Sequence, residues 1–317
     1  MWYETPAVDW DKLVQFTVDG VTRGSVYALI ALGFSMVYGI LKLLNFAHGD
    51  VFMVGAFIGW GVIGALGGAA DPVVPVWLLI ILMILAAMVG CAVLGGTIER
   101  FAYRPLRAAP RIAPLISALG VSFFLQNSVL LLFSADFKSY ETFDLSGGAL
   151  FLKGITWGPL HVSLLRIIVI ASAAAMMVGL SLLVYRTQLG KAMRATAFDR
   201  EAAAMMGIDV DRVIMAAFLI GSALAGAGGV LVGLLFGQIN HFMGFNYGLK
   251  GFTAAVVGGI GSIPGAMLGG LAIGLAEAYS GGYVSSRWQD LIVFTILVLV
   301  MLFRPTGLLG RPDIQKV

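Results

Sequence analysis

Val73-Val-Pro-Val-Trp-Leu-Leu-Ile-Ile-Leu-Met-Ile-Leu-Ala-Ala-Met-Val-Gly-Cys-Ala-Val-Leu-Gly-Gly-Thr-Ile98 carries no charged side chain. A helix needs about 20 apolar residues to cross a bilayer core, and this run exceeds that before it stops at Glu99-Arg100. Its apolar residues are continuous rather than alternating, which argues against a transmembrane β-barrel strand. Runs of similar character occupy 14–44, 46–68, 112–133, 163–185, 213–237, 251–279 and 289–303. The polar stretches between them are too short for a soluble domain. The reading is an all-α integral membrane protein with about 8–9 transmembrane helices. A single polytopic domain covers 14–303, after an extracytoplasmic N-terminus at 1–13 and before a cytoplasmic tail at 304–317.

Composition agrees. Only 12% of the 317 residues are charged and 59% are hydrophobic, whereas soluble domains carry about 25% charge. That excludes a water-soluble globule, and the hydrophobicity excludes disorder. Glycine is abundant, 42 residues, as expected where helices pack closely or break. The net charge of +3 is too small to argue for nucleic acid. Cys91 lies inside the apolar run and reads as a small buried side chain. The start, with Glu4, Asp9 and Asp11, lacks the basic region of a signal peptide.

Twelve of the 20 Lys and Arg fall in 99–111, in 186–212 and after 303. Basic loops stay in the cytoplasm, so these three segments read as cytoplasmic. The acidic N-terminus and loop 134–162 read as outside. Three crossings bring the chain from outside to loop 99–111, and two more bring it to 186–212. Three further runs would leave the basic tail on the wrong side. The expected repair is a pair of short crossings within 238–280, hinged at Gly258-Gly-Ile-Gly-Ser-Ile-Pro-Gly265.

Two interruptions carry polar or helix-breaking chemistry. In Leu44-Asn-Phe-Ala-His-Gly-Asp50, Asn45, His48 and Asp50 stand between two apolar runs, and Gly49 offers a turn. Polar groups at that depth usually face a water-filled path or another polar group. The competing reading is a tight surface turn in which Asn45 and Asp50 cap helix ends. In the second, Gly258, Gly259, Gly261 and Pro264 predict a broken helix or sharp hairpin. Broken segments in corresponding halves of a transporter point to its substrate route. Close packing is the competing reading there, and the preferred one for Gly221, Gly226, Gly229 and Gly233. Gln126, Asn127 and Glu277 lie within spans and are expected to form interhelical hydrogen bonds. The three histidines have no metal-ligand spacing, and neither metal nor cofactor is expected.

Loop 186–212 contains a candidate short helix. Thr196 and Asp199 form a weak capping start, Gly207 is a stop, and Phe198, Ala202, Met205 and Met206 share one face. It is too short to span. It could lie on the membrane or insert into a groove on a cytoplasmic partner. No G-x-x-x-x-G-K-[ST] loop is present, so the chain is not expected to hydrolyse ATP.

Four stretches resemble one family. They are Met36-Val-Tyr-Gly-Ile-Leu-Lys-Leu-Leu-Asn-Phe-Ala-His-Gly-Asp50, Met193 to Asp209, Gly248 to Ala266, and Phe303-Arg-Pro-Thr-Gly-Leu-Leu-Gly310. Together they are similar to the LivH-type permeases of branched-chain amino acid ABC importers, over nearly the whole chain. The resemblance implies a bacterial inner-membrane permease subunit, and the loop charges place its N-terminus outside and its C-terminus in the cytoplasm. It implies a LivM-like second permease, two cytoplasmic ABC ATPases and a periplasmic substrate-binding protein. It places Arg194, Ala195, Phe198, Ala203, Met206, Gly207 and Ile208 in the loop that couples to the ATPases. Asn45, His48, Gly49, Asp50, Gly258, Gly259, Gly261 and Pro264 are the candidates for the translocation path. Members of this family also carry urea, amides and aromatic acids. The alternative is an ion-coupled secondary transporter using Asp50, His48 or Glu277. An intramembrane enzyme is disfavoured, since H-E-x-x-H and G-x-S-x-G are both missing from the sequence.

Overall fold

A computed structural model describes residues 10–67, 74–107, 109–110, 112–140, 155–157 and 160–310. The N-terminal acids Glu4 and Asp9, most of loop 134–162, and the tail residues Arg311 and Lys316 lie outside the described residues. The helices in chain order are α1 (Trp10–Leu41), α2 (His48–Ala65), α3 (Val76–Ile98), α4 (Ile112–Phe133), α5 (Leu164–Arg186), α6 (Gln188–Phe198), α7 (Arg200–Met205), α8 (Val210–Phe236), α9 (Met243–Gly258), α10 (Ile263–Tyr283) and α11 (Gln289–Phe303). Seven segments are long and apolar enough to cross a membrane: α1 to α5, α8, and Ser286–Phe303 ending in α11. This is the all-helical membrane architecture that hydropathy predicts.

The run at 251–279 is two helices. α9 ends at Gly258 and α10 begins at Ile263. Gly259 and Gly261 take positive φ, a region open to glycine at little cost. Ser262 caps α10, its side chain accepting from the Gly265 amide at 3.2 Å, and Pro264 sits in the first turn.

α1 is the central element and its middle is fully buried. It packs antiparallel to α10 through small residues. A Cβ added at Gly274 would lie 2.3 Å from Gly24 Cα, and one at Gly270 would lie 2.4 Å from Ala28 Cα. Such small-residue seams let helices approach where lipid provides no hydrophobic drive. α8 uses the same device. Gly226 meets Ala87 and Cys91 of α3, Gly229 meets the Phe52 carbonyl of α2, and Gly233 meets Tyr140. Cys91 is buried and free, as expected, and its Sγ lies 3.3 Å from the Val51 carbonyl.

α3, α4 and α11 sit at the periphery. Val89, Val93, Phe123, Phe124, Leu299 and Leu302 are exposed there, which suits a lipid-facing surface. The segment after α4 contributes Tyr140. Its hydroxyl donates to the Ala56 carbonyl at 2.8 Å, and the neighbouring strand Lys138–Ser139 pairs with Gln238–Ile239.

Candidate functional site

α1 does not hand over to α2 at its end. Residues 42–47 turn back, and α2 starts beside Gly33 and Phe34. The His48 ring lies edge-on to Phe34 at 4.8 Å, and a Cβ at Gly33 would sit 2.2 Å from His48 Nε2. From Leu41 back to Phe34 is two helical turns, about 11 Å at 1.5 Å per residue. The first break is therefore re-entrant, and α2 begins inside the bundle.

The residue preceding α2 is Ala47, without a side-chain cap. Asn45 and Asp50 are not helix caps. Asn45 Oδ1 accepts from the Tyr103 hydroxyl at 2.9 Å, and Asp50 Oδ1 accepts from Gln126 Nε2 at 3.0 Å. Gln126 also reaches Ser122 Oγ at 3.2 Å. Both contacts tie the break to elements distant in sequence. Tyr103 arrives on a π-helical segment, Glu99–Tyr103, that continues α3, and such segments recur at functional places. Tyr103→Phe removes one buried neutral hydrogen bond. It should lower unfolding stability in detergent by about 1 kcal/mol, and no measurable change would show that Asn45 finds water instead.

Gly49 differs from expectation. It does not turn the chain: it lies within α2, and α9 crosses over it. A Cβ there would be 2.3 Å from the Gly244 carbonyl oxygen and 2.9 Å from Gly248 Cα. Beside this crossing lies a cavity of about 50 Å³, lined by Phe34, Phe46, Phe252, Leu119 and Leu249, with Asp50 and Ser122 as its polar members.

The 258–265 hairpin does not reach that cavity. Gly258 packs on Gly265, Gly259 packs on Gly310, and Gly261 lies by Gly39 near the end of α1. Leu308 and Leu309 amides donate to the Val257 and Gly258 carbonyls at 2.9 Å. The freed carbonyls at the end of α9 are thus satisfied by the segment after α11, a partner that local sequence does not reveal.

The other intramembrane polar residues divide. Glu277 makes the expected interhelical bonds, from Tyr27 at 2.6 Å and Lys250 at 3.1 Å. Asn127 instead bonds the Phe123 carbonyl of its own helix.

The loop helix also differs in detail. Thr196 is buried inside α6, and the start signal that operates is Asp199. Its side chain accepts from Glu201 and Ala202 amides and begins α7. Gly207 does stop the pair, at φ 84°. Arg194 donates to the Val184 carbonyl and lies over the Tyr185 ring, which fastens α6 to α5. Arg200 bonds the Ile40 carbonyl at 2.5 and 3.0 Å. Burial of Arg200, and Arg107 nearby, lower its pKa. Ala203 is buried, Ala195 is exposed and Ile208 is half-buried. Phe198, Met205 and Met206 stand more than four-fifths exposed, at 84%, 82% and 83%. Ala202 is only partly exposed, so the ridge has three members.

The sequence model of the family described as "Branched-chain amino acid transport system / permease component" matches residues 16–301. The chain belongs to the branched-chain amino acid transport permease family. It is 44% identical to the high-affinity branched-chain amino acid transport system permease protein BraD of Pseudomonas aeruginosa, over 96% of this chain and 98% of that one. It is 42% identical to the corresponding permease protein LivH of Escherichia coli K12, over 96% and 97%. To the permease protein LivM of the same organism it is 25% identical, over 98% of this chain and 74% of that one. No solved structure matches. As a member of this permease family the chain is a membrane transport component and not an enzyme. An ion-coupled mechanism through Asp50, His48 or Glu277 finds no support in these relationships, and Glu277 is already engaged by Tyr27 and Lys250.

Proposed function

We propose that this chain is a translocation subunit of a bacterial inner-membrane ABC importer for branched-chain amino acids. Its relatives BraD and LivH carry that substrate class in their names, which supports the assignment. Its similarity to LivM supports pairing with a LivM-like second permease. Two cytoplasmic ATPases and a periplasmic binding protein complete the assembly. The membrane domain spans 14–303, with loop 186–212 as its cytoplasmic coupling element. α9 and α10 add two crossings to the seven long spans. An odd total of nine puts the acidic N-terminus outside and the basic tail in the cytoplasm, as the loop charges require.

The observation that carries the coupling role is the exposed ridge of Phe198, Met205 and Met206 on α6–α7. Helices this short do not span, and an amphipathic helix seated in a groove is a common docking mode. Arg194, Ala195, Ala203, Gly207 and Ile208 shape and fasten that pair. Arg200 then links it to Ile40, at the end of α1 and next to the re-entrant segment. Motion of α6–α7 is transmitted along that link to Asn45, His48, Gly49 and Asp50, which form the gate of the path. Gly258, Gly259, Gly261 and Pro264 form the hinge of the α9–α10 pair beside it.

The test is ATP-driven leucine uptake in vesicles holding the permease pair, ATPases and binding protein. Changing Phe198, Met205 and Met206 together to serine should leave folding intact and cut uptake at least about tenfold, since losing apolar anchors of this size costs more than about 1.4 kcal/mol. Unchanged uptake would defeat the coupling assignment. Uptake that survives ATP depletion would defeat the importer assignment.

A further inference from the structure

Three acidic side chains are buried among the described residues: Glu99 at 1%, Glu277 at 4% and Asp50 at 1% exposed. Two of them have cations. Glu99 meets Arg107, and Glu277 meets Lys250 and Arg23. No cation pairs with Asp50 among the described residues. Its hydrogen-bond donors, Gln126 and Ser122, are neutral. His48, two residues earlier, turns to Phe34 and Gly33 instead, and residues at that spacing on a helix do not face each other. A buried carboxylate is costly unless a cation meets it. Asp50 is thus the buried acid whose counter-charge must come from elsewhere.

Asp50 lines the cavity of about 50 Å³ at the α2–α9 crossing. Phe252 links the aromatic walls, its ring centroid 5.9 Å from that of Phe34 and 6.5 Å from that of Phe46. Leu119 and Leu249 add aliphatic surface, and no lysine or arginine lines the space. Aromatic faces attract a cation, so the walls and the acid favour the same charge. One water takes about 10–15 Å³ of such space, so the cavity holds about four groups of that size. That suits the branched alkyl groups of valine, leucine and isoleucine, and it is too small for a benzyl or indole group.

We infer that Asp50 holds the ammonium group of the crossing amino acid while its branched side chain lies against Phe34, Phe46, Phe252 and Leu249. This rests on the importer proposed above for its cargo, and goes beyond it by giving two parts of that cargo their contacts. Entry into the bundle strips water from the ammonium, and a charge-assisted hydrogen bond to the carboxylate replaces that water. Gln126 fixes the carboxyl through Oδ1. The close crossing at Gly49 brings the α9 side of the cavity up to it. Urea and neutral amides bring no cation to Asp50. Aromatic acids exceed the space and carry the wrong charge.

The experiment uses the full chain, purified in detergent and titrated under saturation-transfer NMR, because this chain's own residues build the cavity. Isopentylamine has the ammonium and isobutyl group of leucine without its carboxylate. Isocaproate has the isobutyl group and carboxylate without the ammonium. Wild type should bind leucine and isopentylamine, and bind isocaproate at least about tenfold more weakly, the loss of one hydrogen bond to a charged group. Asp50→Asn keeps an acceptor for Gln126, so it should fold, and it should bind isopentylamine as weakly as wild type binds isocaproate. Glu277→Gln removes a different buried acid and should bind isopentylamine like wild type. Leu249→Ala enlarges the cavity and should admit phenethylamine, which wild type excludes. Absent isopentylamine binding in wild type, equal binding of isocaproate, or unchanged isopentylamine affinity in Asp50→Asn would each overturn the assignment. The importer itself fails by a separate result, leucine uptake by the assembled wild-type complex that does not depend on ATP.

Discussion

Glu277→Ala should destabilise the protein by about 3 kcal/mol, the low end of the cost of breaking a buried ion pair. Glu277 is 4% exposed on α10. Its carboxylate accepts from Tyr27 of α1 at 2.6 Å, meets Lys250 of α9 at 3.1 Å and approaches Arg23 of α1 at 3.4 Å. Lys250 continues to Asp290 of α11 at 2.8 Å. The cluster is neutral as a whole and joins four helices. Removing Glu277 leaves Lys250 with one exposed acid and leaves the Tyr27 hydroxyl without its acceptor. Arg23 is 28% exposed, so water recovers part of its loss, which is why the lower end of the range applies. Glu277→Gln keeps an acceptor for Tyr27 and should cost less. Denaturant unfolding in detergent micelles measures both. A Glu277→Ala variant within about 0.5 kcal/mol of wild type would mean that Lys250 and Arg23 are stabilised by water rather than by this carboxylate. If transport needed Glu277 as a proton carrier, the glutamine variant would lose uptake while remaining stable. In the proposed mechanism it keeps uptake in proportion to its stability.

The breaks in the chain were legible to different depths. The hinge after Gly258 could be read because Gly259, Gly261 and Pro264 each act locally on the backbone, independent of what packs around them. The loop charges forced the same conclusion by parity. The re-entrant path of 42–47 was only half legible. Polar residues between apolar runs signal an interruption, but they do not say that α2 starts two turns back along α1. That depends on Tyr103 reaching Asn45 and on Gln126 reaching Asp50, and each bond joins residues more than 50 positions apart. The loop helix shows a different limit. Thr196 and Asp199 are both competent caps, and sequence alone cannot rank them. The structure gives the role to Asp199 because Thr196 turns into the interior. Asn127 bonds its own helix because its side chain faces outward, a question of rotation about the α4 axis that a span apolar on most of its faces conceals.

Gly49→Val should abolish uptake and lower stability by 1–3 kcal/mol or more, the usual cost of overpacking. Turn-making and close packing both call for glycine, and they predict different tolerances. A turn glycine with positive φ resists any side chain through backbone strain, whereas Gly49 is helical and is constrained only by its neighbour. The neighbour is backbone: the Gly244 carbonyl oxygen at 2.3 Å and Gly248 Cα at 2.9 Å from an added Cβ. Backbone cannot rotate aside as a side chain does, so α2 and α9 must separate. Separation at Gly49 moves the adjacent Asp50 away from Gln126 and widens the cavity that Phe34, Phe46 and Phe252 line. Alanine at 49 should already lose most uptake, while valine should lose all of it. Gly64 in the same helix has nothing within 4 Å of an added Cβ. There the intrinsic helix preference for alanine acts alone, and Gly64→Ala should be neutral or stabilising by up to about 1 kcal/mol. Paired measurement of leucine uptake and unfolding in the two variants separates contact from propensity. Normal uptake in Gly49→Ala would show that α2 and α9 do not need this close approach, and the gate assigned to the start of α2 would fall with it.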